Sequence, residues 1–106
     1  MENIDLARDR AWIEINLNNL ENNINEIKKL LSEETKIMAV VKANAYGHGS
    51  VIIAKKLLDI GITDFAVATL DEGIELRKNG ITGNILILGF TNFSNLKYVI
   101  EYDLIQ

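Results

Sequence analysis

Apolar positions along this chain of 106 residues fall into two alternating patterns. Leu17, Leu20, Ile24, Ile27 and Leu31 recur at three- and four-residue spacing, the period of a helix with one apolar face. Ile37-Met38-Ala39-Val40-Val41 is instead an unbroken apolar run. It predicts a strand buried on both faces, because a half-exposed strand alternates apolar with polar residues. A helix is expected over Val51–Asp59, with Ser50 as its N-cap. Phe65-Ala66-Val67-Ala68 then predicts a second strand, and Thr69-Leu70-Asp71-Glu72 a capping box that opens a helix ending near Asn79-Gly80. Ile85-Leu86-Ile87-Leu88 predicts a third strand, Gly89 to Asn95 a polar loop, and Leu96–Glu101 another helix. Leu104-Ile105-Gln106 has the look of a fourth strand at its start.

Strands that alternate with helices at this spacing imply an α/β fold with parallel pairing through crossovers. The order alone admits an open doubly wound sheet or a barrel. A complete (β/α)8 barrel needs about 250 residues, so three βα units and the start of a fourth strand amount to the opening part of one. The chain contains no proline, which leaves turn duty to glycine, asparagine and aspartate.

Composition narrows the function by exclusion. A formal net charge of -4 argues against a nucleic-acid footprint, and Lys28-Lys29 and Lys55-Lys56 are accounted for as solvated helix faces. No phosphate-binding P-loop or dinucleotide fingerprint occurs. With one histidine and no cysteine a zinc site is not expected, and no disulfide framework is possible. The start, Met1-Glu2-Asn3-Ile4-Asp5, is acidic and unlike a secretory signal, and no apolar run approaches the ~20 residues of a membrane span. A cytoplasmic location, with no membrane segment, is the expectation.

The chemistry concentrates at Lys42, which follows the first apolar strand and opens Lys42-Ala43-Asn44-Ala45-Tyr46-Gly47-His48-Gly49. In folds of alternating strands and helices the carboxyl edge of the sheet is where ligands bind, because its loops vary while the strands hold still. Taken alone, Lys42 is an ordinary solvated charge and the glycines are turn residues. Tyr46 alone fits equally as an aromatic anchor with its hydroxyl in water or as a ligand contact. Asn44 is expected to hydrogen-bond within the loop, and His48 is given no catalytic role.

As an ordered word behind an apolar strand, however, Lys42 to Gly49 resembles the cofactor-lysine motif of the bacterial alanine racemases, which use pyridoxal 5'-phosphate. The related barrel decarboxylases of basic amino acids share a lysine-alanine-asparagine run but not the Ala-Tyr-Gly-His-Gly tail. The resemblance extends from Arg10 to the end. Arg10-Ala11-Trp12-Ile13-Glu14-Ile15-Asn16-Leu17 is similar to the family's opening strand, which joins a carboxy-terminal β domain not contained in these residues. On that basis residues 1–17 form an amino-terminal segment and 18–106 the first part of the barrel. Phe65 to Gly73 and Ile85 to Gly89 resemble the second and third barrel strands, mostly as structure.

What the resemblance implies is specific. Lys42 is expected to hold the cofactor as a Schiff base and, once displaced by the substrate amine, to exchange the α-proton on the D face. That role needs a lysine pKa lowered by burial or a nearby cation. Tyr46 is expected to contact the cofactor phosphate, and Leu88 to line the cofactor site. The opposite base is expected from a tyrosine of the other subunit of a homodimer. The implied activity is interconversion of L- and D-alanine, supplying D-alanine for peptidoglycan, with these 106 residues inactive by themselves. A serine racemase of the same family and a non-catalytic pyridoxal-phosphate-binding barrel fragment are the alternatives.

Overall fold

The structure is a computed structural model that describes residues 6–41 and 48–106, with side chains from 18–41 and 49–106. The chain divides into two units, Met1–Lys36 and Ile37–Gln106.

The first unit holds one helix, α1, over Leu6–Leu30. Its apolar stripe leaves Ile24 buried, and Lys28 and Lys29 in its last turn complement the exposed carbonyls there. Residues 10–17, expected as a strand that joins a β domain, lie inside α1 in this structure. A strand needs a neighbour to satisfy its N–H and C=O groups, whereas a helix satisfies its own. The leading Leu6-Ala7-Arg8 and Arg10-Ala11 are moreover strong helix formers.

The second unit repeats one motif three times. β1 (Met38–Val40), β2 (Asp64–Val67) and β3 (Asn84–Ile87) are all parallel and lie in the order β1-β2-β3. α2 (His48–Asp59), α3 (Leu70–Lys78) and α4 (Leu96–Glu101) follow them in turn, the last preceded by a short 3-10 turn at Phe93–Asn95. The fourth strand begins as expected: Ile105 bridges Leu86 in parallel, its N–H donating to Ile85 O at 2.9 Å. Sequential order with no reversal is consistent with the start of a barrel; an open doubly wound sheet reverses direction at a switch point. α2 begins at His48, so Ser50 sits in its first turn and is not the N-cap; helix starts shift readily by two residues.

Each helix of this unit ends in the same way, and the reason is readable. After α2 the Gly61 N–H donates to Leu58 O and the Ile62 N–H to Leu57 O. After α3 the pairs are Gly80 to Arg77 and Ile81 to Leu76, and after α4 Asp103 to Ile100 and Leu104 to Val99. These are Schellman closures, in which a left-handed residue lets two amides turn back on the last carbonyls. Gly61 (φ 94°) and Gly80 (φ 84°) adopt that conformation freely, and Asp103 (φ 54°) does so in the third copy. The apolar residue that follows, Ile62, Ile81 or Leu104, is buried in every case. It turns the chain back into the core.

Register fixes which side chains share a face. Ala39, Phe65 and Ile85 are in one row, and Met38, Asp64 and Asn84 in the next. Phe65, Val67, Ile85 and Ile87 lie on one face and are fully buried, joined by Leu57, Leu76 and Ile81 from the helices and their ends. Full burial of such a side chain contributes roughly 1.5–3 kcal/mol. α3 packs against β2 and β3 closely enough that Gly73 is in contact range of Ile85 and Leu104. The expectation that the first strand is buried on both faces is not met. Met38 is 45% and Val40 56% exposed, because they point away from the helix-covered side, while Val41 beside them is buried.

Candidate functional site

The three strand ends arrive level at the carboxyl edge. The Val41 N–H donates to Ala66 O at 2.7 Å, the Leu88 N–H to Val67 O at 2.8 Å and the Gly89 N–H to Ala68 O at 3.0 Å. Pairing therefore continues one or two residues past each strand. Lys42 follows Val41 directly in the sequence, so β1 carries the chain to that edge. Lys42 and Tyr46 themselves lie outside the described residues, as does the side chain of His48.

Leu88 is the expected site residue that the structure does describe. Its parity with Leu86 puts it on the face opposite the helices, and it is 58% exposed. A side chain this apolar at an open strand end offers a contact surface for a flat ring. Gly89 next to it has no alternative residue type: a Cβ there would collide with the Ala68 carbonyl oxygen. Its own carbonyl accepts from Gln106 Nε2 at 2.7 Å, so the end of β3 is held from both sides.

The loop after β2 is fixed by the capping box expected from Thr69 to Glu72. Thr69 Oγ1 accepts from the Glu72 N–H at 3.2 Å, and Glu72 Oε1 accepts from the Thr69 N–H at 3.1 Å. The same carboxylate oxygen takes a shorter bond, 2.7 Å, from the Ala68 N–H. Between this loop and residues 90–95 lies a cleft of about 180 Å³. Thr91 lines it, and its hydroxyl is buried with no hydrogen-bond partner. Phe90 and Phe93 on the same loop are almost fully exposed.

Sequence reasoning reached the capping box. It did not single out Gly89 as a close approach, the second bond of Glu72, or the part played by Gln106. The Leu88-Gly89 step after an apolar run was the available signal for the first of these. Among the described residues no group of three or more acidic or histidine side chains is placed to hold a metal ion, and no helix is long and apolar enough to cross a membrane.

Comparison with known proteins agrees with this geometry. The profile of the family described as "Alanine racemase, N-terminal domain" matches residues 15–106. An "Amino-acid racemase" of Enterococcus faecalis is 52% identical over 92% of this chain and 14% of its own length. "Alanine racemase 2" of Bacillus subtilis (strain 168) is 50% identical over 89% of this chain and 24% of its own. A solved alanine racemase from Clostridium difficile 630 superposes with a TM-score of 0.77 at 49% identity, covering 83% of this chain and 24% of that one. The chain thus spans about a quarter or less of the relatives it matches. Matching its family's amino-terminal domain over nearly all its length, and carrying that fold's strand ends level at one edge, this chain belongs to the alanine racemase family.

Proposed function

We propose that residues 18–106 are the opening part of a (β/α)8 barrel in a pyridoxal-phosphate-dependent racemase that interconverts L- and D-alanine. The observation that carries this reading is the level carboxyl edge, where β1 leads into Lys42 and β3 ends in an exposed Leu88.

The residues present fit the cofactor. Leu88 offers an apolar surface, and Gly89 keeps the neighbouring backbone free of a side chain. The motif residues complete the set with a primary amine at Lys42 and a phenol at Tyr46. Bound pyridoxal phosphate supplies an electron sink for the pair left when the α-proton departs. The Lys42 amine would anchor it and would exchange the α-proton on one face of the substrate carbon only. Tyr46 donates its hydroxyl to the phosphate, and Leu88 packs on the ring.

A second base must serve the opposite face, and we assign it to another subunit of a homodimer. The protein works in the cytoplasm and supplies D-alanine for the cell wall. Residues 10–17 would exchange helix for strand where a β domain offers them a ladder to join.

Borohydride reduction of the full-length protein, followed by mass mapping, tests the assignment. The pyridoxyl label is expected on Lys42, and Lys42→Ala is expected to abolish racemisation without unfolding the protein, since the amine's role is chemical. A label on another lysine, or substantial turnover in the variant, would sink it.

A further inference from the structure

The capping box accounts for only part of what Glu72 does. In such a box the glutamate reaches back to the N-cap amide, here Thr69. Glu72 Oε1 also accepts the Ala68 N–H, and that bond is the shorter of the two. These two amides belong to consecutive peptide groups, Val67-Ala68 and Ala68-Thr69. The carbonyls of the same two groups face the other way, across the sheet. Val67 O accepts the Leu88 N–H at 2.8 Å, and Ala68 O accepts the Gly89 N–H at 3.0 Å.

Peptide groups are rigid planes, so an oxygen that fixes the N–H on one side fixes the direction of the C=O on the other. One carboxylate oxygen therefore aims both hydrogen bonds that locate the end of β3. Gly89 lies so close to Ala68 O that only a residue without a Cβ fits there.

We propose that Glu72 is a positioning residue for the cofactor site, setting the place of Leu88 through the peptide groups on either side of Ala68. The inference rests on the reading of Leu88 given above. It requires reach, not charge: what matters is an oxygen at the end of a side chain as long as glutamate.

Two variants of the full-length enzyme separate these. Glu72→Asp keeps the charge and suits the first turn of a helix, so the protein folds, but it falls one methylene short of the Ala68 amide. Glu72→Gln loses the charge and keeps the acceptor. Titration of the apo-enzyme with pyridoxal phosphate, followed by absorbance, is expected to show affinity about three- to tenfold weaker in Glu72→Asp and restored to within about twofold in Glu72→Gln. In a Leu88→Ala background the Glu72→Asp change is expected to cost nothing further, since its effect passes through Leu88. The proposal is overturned by an equal loss in both backgrounds, or by Glu72→Gln losing what Glu72→Asp keeps. An unaltered protein that binds no pyridoxal phosphate at all would reject the proposed function and this inference with it; normal binding without coupling rejects the role of Glu72 alone.

Discussion

The two edges of the sheet are built from the same repeat and finished with opposite charges. At the amino edge a cation collects carbonyls. Arg77 donates from Nε to Tyr102 O at 2.8 Å, from Nη1 to Ile81 O at 2.9 Å, and from Nη2 to Gly83 O at 2.9 Å and Asp103 O at 2.8 Å. Asn84 Nδ2 and Asp64 Oδ1 close the neighbouring row at 2.7 Å. At the carboxyl edge an anion, Glu72, collects amides. Helix polarity explains the difference, because parallel βα units bring every helix amino end, rich in free N–H groups, to the carboxyl edge and every helix carboxyl end to the other. The amino edge spends its polar groups on itself. The carboxyl edge leaves Leu88, Phe90 and Phe93 exposed and Thr91 unpartnered, which is the condition of a surface that meets something else.

If that contrast is right, stability and cofactor binding should separate between the edges. The largest effect is expected from Arg77→Leu, which removes all four bonds and strands the carbonyls of two turns. A loss of about 2–4 kcal/mol is expected, read as a lower denaturation midpoint of the full-length protein, with affinity for pyridoxal phosphate unchanged in the folded fraction. A parallel loss of affinity would mean the edges are not independent. Tyr46→Phe is the converse. Removing one hydroxyl from a charged partner costs roughly 1.5–3 kcal/mol of binding, about tenfold or more in cofactor affinity, with the apo-protein melting as before. Unchanged affinity would return Tyr46 to the role of an aromatic anchor. The smallest change carries the opposite sign. Asp103 is a non-glycine residue at φ 54°, and its carbonyl, not its side chain, meets Arg77. Asp103→Gly should therefore raise stability by about 0.5 kcal/mol, visible as a small increase in melting temperature.

Legibility followed the range of the interaction. The Thr69–Glu72 box, the α3 end at Asn79-Gly80 and the three strands are local signals, and the structure carries each within a residue of its expected place. Residues 10–17 lie in helix here because pairing needs a neighbour that residues 6–36 do not provide, and helix formation does not. Burial of Met38 and Val40 was misjudged for a related reason: an apolar run reports what a strand can tolerate, not which of its faces is covered. Arg77 gave no sign in sequence, since its partners are carbonyls that any residue supplies, up to 26 positions away.

The sequence by itself determined the repeat, its turns and the chemical groups: the amine of Lys42, the phenol of Tyr46 and the apolar step at Leu88 all follow from short words whose meaning is carried by neighbours along the chain. Only the tertiary structure decided what stands next to Leu88. The parallel register put the ends of β1, β2 and β3 at one edge, and it set Val67 O and Ala68 O opposite the Leu88 and Gly89 amides. It thereby turned a helix-capping glutamate into a support for the strand that follows its helix. Such an arrangement depends on planar peptide groups meeting across a sheet, and residues some twenty positions apart have no shared pattern from which it can be read.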